Sequence, residues 1–183
     1  MKSFSLQHPK TRRFVYEWVF HQALTREDIV ALRYEFVELT VNGKDLGVYA
    51  LEEHFDKRLV EYRRRREGPI LKFDESLHWS DIAATGEVGD LSPTGLRGFR
   101  AAAVDTFGAV PPKDDPQYPV VLTATSLLEA FRAGELPVAQ AFDSKKLATY
   151  FALLDLLGAE HGGVWHNIRF YYDPIASRLE PVG

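Results

Sequence analysis

The chain has 183 residues, of which 45% are hydrophobic and 13% aromatic, so it has material for about one domain with its own core and is not a wholly disordered chain. It contains no cysteine, which excludes disulfides, a thiolate nucleophile and Cys-ligated zinc or iron–sulfur sites. A formal net charge of −4 argues against general nucleic-acid binding, and no apolar run approaches the roughly 20 residues of a membrane span.

The opening Met1-Lys2-Ser3-Phe4 lacks the apolar stretch of a signal peptide. Residues 1–72 carry 14 basic and 11 acidic side chains, whereas residues 73–183 carry 8 and 15. A basic first part attracts anions such as phosphate, although four of its charges are a single arginine run.

In chain order, Thr11–Leu24 spaces Phe14, Val15, Trp18, Val19 and Leu24 as an amphipathic helix. Thr25 followed by Asp28 has the look of an N-cap for a short second helix. Leu32–Val41, the turn residues Asn42-Gly43 and Leu46–Leu51 predict a hairpin, because Asn-Gly supplies the positive φ angles of a tight turn.

Glu53–Glu67 reads as a helix closed by Arg63, Arg64, Arg65 and Arg66 and stopped at Gly68-Pro69, with Ile70–Phe73 as a short strand after it. The arginine run reads first as a solvated helix end, and Trp18, Trp79 and Trp165 as packing residues. Residues 80–119 hold five of the ten prolines and five glycines, the composition of an insertion or long loop with a short helix near Leu96–Val104.

Ser126–Ala133 then predicts a helix ending at Gly134. Asp143-Ser144 caps a longer one through Leu157, with Leu147, Phe151, Leu154 and Gly158 along one stripe. Asp155 lies either on the polar side of that helix or buried as a tuned carboxylate, the former being the commoner case. Ile168–Tyr172 and Arg178–Val182 flank Asp173-Pro174 as a second hairpin. The mixture of helices and antiparallel strands makes the fold class α+β.

Several of these stretches resemble the CotH family, the atypical protein kinases of spore coats and their bacterial relatives. They are Val41-Asn42-Gly43 with Gly47-Val48-Tyr49, Glu53 and Asp56-Lys57; Gly68-Pro69-Ile70-Leu71-Lys72-Phe73; and His166-Asn167-Ile168-Arg169-Phe170-Tyr171-Tyr172 with Leu179-Glu180-Pro181-Val182-Gly183. The resemblance covers most of the chain outside residues 80–119. It implies a protein-kinase-like fold in which a small lobe covers a nucleotide and a larger lobe supplies metal ligands. The implied reaction is transfer of the γ-phosphoryl group of ATP, with Mg²⁺ or Mn²⁺, to Ser or Thr hydroxyls of a protein substrate.

The resemblance also implies a partial domain, because the chain ends at Gly183, where the family continues to an acidic metal ligand. Residues 1–79 then correspond to a small-lobe-like part, 80–119 to an insertion or long loop, and 120–183 to the start of the large lobe. A spore-coat or cell-envelope location is implied by the family alone.

The residues themselves leave several assignments open. Glu53, where strand meets helix, orients a phosphate-gripping lysine, holds a metal through water, or simply favours a helix N-terminus. Lys72, among apolar strand residues, either grips nucleotide phosphates or faces water from an edge strand. Asn167 offers a hard amide oxygen to a metal, or is a turn residue after Gly162-Gly163. Family members carry an Asp about five residues before that Asn; here Glu160, His161 and Gly162 occupy the neighbourhood, so His161 or Glu160 stands as the catalytic base.

Two rival functions remain. One is a non-catalytic structural or scaffold module of the envelope or spore coat. The other is a metal-dependent hydrolase using His161 and His166.

Overall fold

The computed structural model describes residues 3–86 and 93–183. Strand β1 (Phe4–Gln7) leads through a 3-10 turn (Pro9–Arg12) into helix α1 (Tyr16–Arg26). Next come β2 (Tyr34–Val41), β3 (Lys44–Glu53), α2 (Lys57–Tyr62), β4 (Ile70–Phe73) and α3 (Ser76–Thr85). After these lie α4 (Pro93–Ala101), β5 (Val104–Thr106), α5 (Tyr118–Arg132), α6 (Val138–Ala141) and α7 (Ser144–Leu157). A second 3-10 turn (Glu160–Gly163) precedes β6 (Arg169–Asp173) and β7 (Arg178–Val182).

The strands form a three-stranded sheet, β1-β3-β2, and a four-stranded sheet, β5-β4-β6-β7, with antiparallel pairing throughout both. The fold is therefore mixed α+β. Strand β4 is central to the larger sheet, so the boundary drawn at residue 79 does not separate the two sheets.

Alternation along the larger sheet assigns its residues to two cores. Leu71 and Phe73 of β4, with Phe170 and Tyr172 of β6, join the larger core against Leu24, Leu128, Tyr150 and Leu154. Ile70, Tyr171 and Val182 join the smaller core with Leu59 and Val60 of α2. Both faces of this sheet are thus covered. Gly68 admits the approach to β4, because a Cβ there would meet the carbonyl oxygen of Tyr172 at 2.2 Å.

The Asn42-Gly43 hairpin forms as expected, with φ angles of 52° and 78° at its two turn residues. Helix α7 also starts and stops where its signals lie: Asp143 accepts from the Lys146 N–H at 3.0 Å, and Gly158 ends the helix at φ 60°. Its expected stripe is shifted, since Tyr150 and Leu154 are buried whereas Phe151 is 42% exposed. Asp155 is exposed, and the second hairpin and β4 lie where the sequence placed them.

Other expectations are corrected. The helix expected from Thr11 begins at Tyr16, because Arg13 and Phe14 adopt successive left-handed conformations, at φ 51° and 62°. No second helix starts at Thr25, which lies inside α1 with its hydroxyl donating to the His21 carbonyl at 2.7 Å. The following residues run extended beside β7: Leu32 N–H donates to the Gly183 carbonyl at 2.8 Å, and Gly183 N–H to that of Val30 at 3.0 Å.

Helix α2 covers only the middle of the expected Glu53–Glu67 helix. Asp56 caps its start, accepting from the Arg58 N–H at 2.8 Å, and Arg64 at φ 55° lies just past its end. Two of the four arginines turn inward as cross-ties, Arg63 to the carbonyl of Ala31 and Arg65 to the carbonyl and carboxylate of Asp28. Within 80–119 the expected short helix is present as α4, starting and ending a few residues before Leu96–Val104, and the segment also supplies β5 and the start of α5 at Tyr118, eight residues before the expected Ser126. Trp18 and Trp79 are 40% and 49% exposed, more open than the packing role foresaw.

Candidate functional site

A cleft of about 480 Å³ opens where α1 and the smaller sheet meet α7 and the β6–β7 hairpin. Arg12, Arg13, Glu17, His21 and Glu52 line one wall. His161, Asn167, Arg169 and the backbone of Gly183 line the other. The volume falls within the roughly 300–1,000 Å³ typical of small-molecule sites.

Local backbone choices put these groups there. His8 caps the first 3-10 turn, accepting from the Lys10 N–H at 3.2 Å, and Thr11 closes it by donating to the His8 carbonyl at 2.8 Å. The left-handed pair Arg13-Phe14 then turns the chain into α1. Such conformations cost on the order of 1 kcal/mol for each non-glycine residue, and strained backbone of this kind clusters at binding sites.

Strand alternation separates Glu52 from Glu53. Glu52 pairs in register with Tyr34, lines the cleft and accepts a 2.8 Å hydrogen bond from Gln7. Burial pushes its carboxyl above the ordinary range. Burial also acts upward on Glu17, but His21 and Arg12 outweigh it and hold that carboxyl below the ordinary range. His21 is buried, stacked on Tyr34 with ring centroids 5.5 Å apart, and its Nε2 lies 3.7 Å from Glu17 Oε1. Burial raises the Tyr34 phenol to about 12.

On the opposite wall, Asn167 Nδ2 donates to the His161 carbonyl at 3.3 Å and lies 2.8 Å from His161 Nε2. The carbonyl is an acceptor only, which identifies that side of the amide as its nitrogen and makes Nε2 an acceptor too. Asn167 Oδ1 is thereby left as the free acceptor of the amide. The same bond occupies the nitrogen that His161 would use as a base.

The remaining predicted residues lie elsewhere. Glu53 is fully buried and forms a two-point ion pair with Arg33, whose guanidinium stacks on Tyr62 at 4.4 Å. Lys72 pairs with Asp105 at 3.6 Å and sits 5.4 Å from the centre of the Phe107 ring. The structure therefore gives Glu53 and Lys72 separate partners rather than each other. Glu160 is exposed in the second 3-10 turn and does not line the cleft.

His161 and His166 have ring centroids 5.9 Å apart, and His166 stacks on His78. Among the described residues, no group of three His, Asp or Glu side chains could hold a metal ion. A Mg²⁺ ion that takes most of its ligands from phosphate and water needs only one or two protein oxygens, and Asn167 Oδ1 suits that role. None of the helices described is long and apolar enough to cross a membrane.

Arg12, Arg13, Glu17, Glu52 and Arg169 were not singled out from sequence. The available signal was the period-two separation of Glu52 from Glu53; the arginines lay inside patterns that read as helix and as a hairpin strand. No protein-family model matches the chain, and no curated protein matches it.

Proposed function

We propose that the cleft binds ATP with a divalent metal and serves transfer of the γ-phosphoryl group to a Ser or Thr hydroxyl of a protein, on a kinase-like arrangement in which the smaller sheet covers the nucleotide. The observation that carries this reading is convergence. Asn167, from one of the CotH-like segments, shares a nucleotide-sized cleft with Arg12 and Arg13 and with the carboxylates Glu17 and Glu52.

Roles follow from charge. Arg12 and Arg13 hold phosphate oxygens, since guanidinium groups match phosphate geometry and charge. Asn167 offers Oδ1 to the metal, which when bound neutralises charge spreading over the transferred group. His161 positions Asn167 through their hydrogen bond. Glu52, whose carboxyl burial makes the better proton acceptor, takes the proton of the attacking hydroxyl. Glu53 keeps a structural role with Arg33.

A thermal-shift titration with ATP, with and without Mg²⁺ or Mn²⁺, tests the binding step. Ligand at a hundred times its Kd stabilises the folded chain by about 2.7 kcal/mol, a rise of several degrees in Tm. A metal-dependent rise that Asn167→Ala abolishes and Lys57→Ala leaves intact is the expected result. A folded sample with no shift would favour the non-catalytic scaffold reading instead.

A further inference from the structure

Arg169 is the one arginine among the described residues that is buried, at 8% exposure, and it projects from β6 onto the cleft. Its Nη1 donates to the carbonyls of His166 and Ile168 at 2.9 and 3.0 Å, while Nε has no hydrogen-bond partner. No carboxylate among the described residues lies within ion-pair distance of it. Arg33, Arg65 and Arg132, which are less buried, each have such a carboxylate.

A buried cation without a counter-ion is costly, and two neutral carbonyls do not cancel its charge. The ring of Phe107, 5.2 Å from the guanidinium carbon, returns a part of that cost, but Lys72 approaches the same ring and adds a second cation. Burial accordingly works against the charged form of Arg169, with only the field of Glu75 and Tyr150 acting the other way.

We infer that Arg169 is the floor of an anion site in the cleft, its open N–H groups receiving a phosphate group that Arg12 and Arg13 grip from the facing wall. This rests on the nucleotide reading for the identity of the anion as a phosphate chain. The missing counter-ion calls for an anion whatever that anion's identity.

Calorimetric titration of the full chain with inorganic pyrophosphate in metal-free buffer, and separately with ATP, tests the site. The expected result is saturable pyrophosphate binding, weakened at least tenfold in a folded Arg169→Gln variant and less in Arg169→Lys, which keeps the charge. ATP binding that falls in parallel identifies the anion as the nucleotide's phosphates. Pyrophosphate binding without ATP binding keeps the anion site and removes the nucleotide reading.

ATP binding that Arg169→Gln leaves unchanged keeps the nucleotide reading and overturns this one, as does absence of pyrophosphate binding at millimolar concentration. Should Arg169→Gln not fold, the Arg169 Nε–H resonance of the unaltered chain decides the matter. It must shift on adding pyrophosphate, and a resonance that stays in place overturns the proposal.

Discussion

Strands β6 and β7 each bury four of their five residues, whereas β2 and β3 together bury only Tyr34, Ala50 and Glu53. The larger sheet is clamped by a core on either face. The smaller sheet is anchored at its base by the Arg33–Glu53 pair, by β1 and by the contacts of α1, and its hairpin projects with Val41, Leu46 and Val48 exposed. The cleft lies at the junction of the two. Of the wall facing β6, only Glu52 belongs to the smaller sheet; Glu17 and His21 belong to α1, which is held in the larger core through Phe20 and Leu24.

The comparison breaks most sharply through the core of the larger sheet. Leu71 is fully buried, so Leu71→Ala is expected to cost about 3–4 kcal/mol, whereas Val48→Ala in the projecting hairpin should stay within about 0.5 kcal/mol. Urea unfolding of the two variants measures the contrast, and similar losses would erase the distinction between the sheets.

Next in size is the anchor of the smaller sheet. Glu53→Ala strands Arg33 and is expected to cost about 3 kcal/mol, the low end for one partner of a buried pair because Arg33 keeps contact with water and Tyr62. If Glu53 is structural, ATP affinity per folded molecule should stay unchanged in this variant. A selective loss of affinity with stability intact would return Glu53 to the site.

A smaller effect belongs to the hairpin tip. Gly43→Ala meets no atom within 4 Å but must hold φ 78°, so about 1 kcal/mol is expected from backbone strain alone. Chemical denaturation should show that loss with no change in ligand affinity.

The smallest expected effect has a pH signature. Burial raises the Glu52 carboxyl in the folded chain, so the folded state holds this proton more tightly than the unfolded one. Ionisation of Glu52 therefore opposes folding as pH rises past its unfolded value, and that opposition is complete above the raised folded value. Glu52→Gln, which still accepts from Gln7, should stabilise the protein by about 0.5 kcal/mol at pH 7 and not at all below about pH 4. On the proposed function, the same variant should also lower phosphoryl transfer. A stability gain that persists at low pH would show that charge is not its cause.

What the sequence revealed and what it hid follow the same division between local and distant causes. Asn42-Gly43, Asp143-Ser144 and Gly158 act on their immediate neighbours, so the first hairpin and α7 were legible to within a few residues. The start of α1 was not, because Arg13 and Phe14 are held in left-handed conformations that their own side chains do not favour. Pro119 marks the first turn of α5, yet amid neighbouring prolines it read as loop.

Among the cleft residues, Asn167 and His161 drew notice from the sequence, Asn167 as a hard amide oxygen before a strand and both through the resemblance. The partners of Glu53 and Lys72 depended on residues distant in sequence or on a strand not foreseen. Arg169 lay within the run Ile168–Tyr172, where nothing local distinguishes an arginine facing solvent from one buried without a counter-ion.

Hydrogen–deuterium exchange resolved by segment, with and without ATP and Mg²⁺, tests most directly whether the junction of the two sheets is the binding site. Added protection at residues 12–21 and 159–169, with the hairpin tip at 44–48 unchanged, is the predicted result. Protection confined to the separate 280 Å³ cavity beside Lys57, Glu67 and Phe107, or no change in any segment, would contradict it.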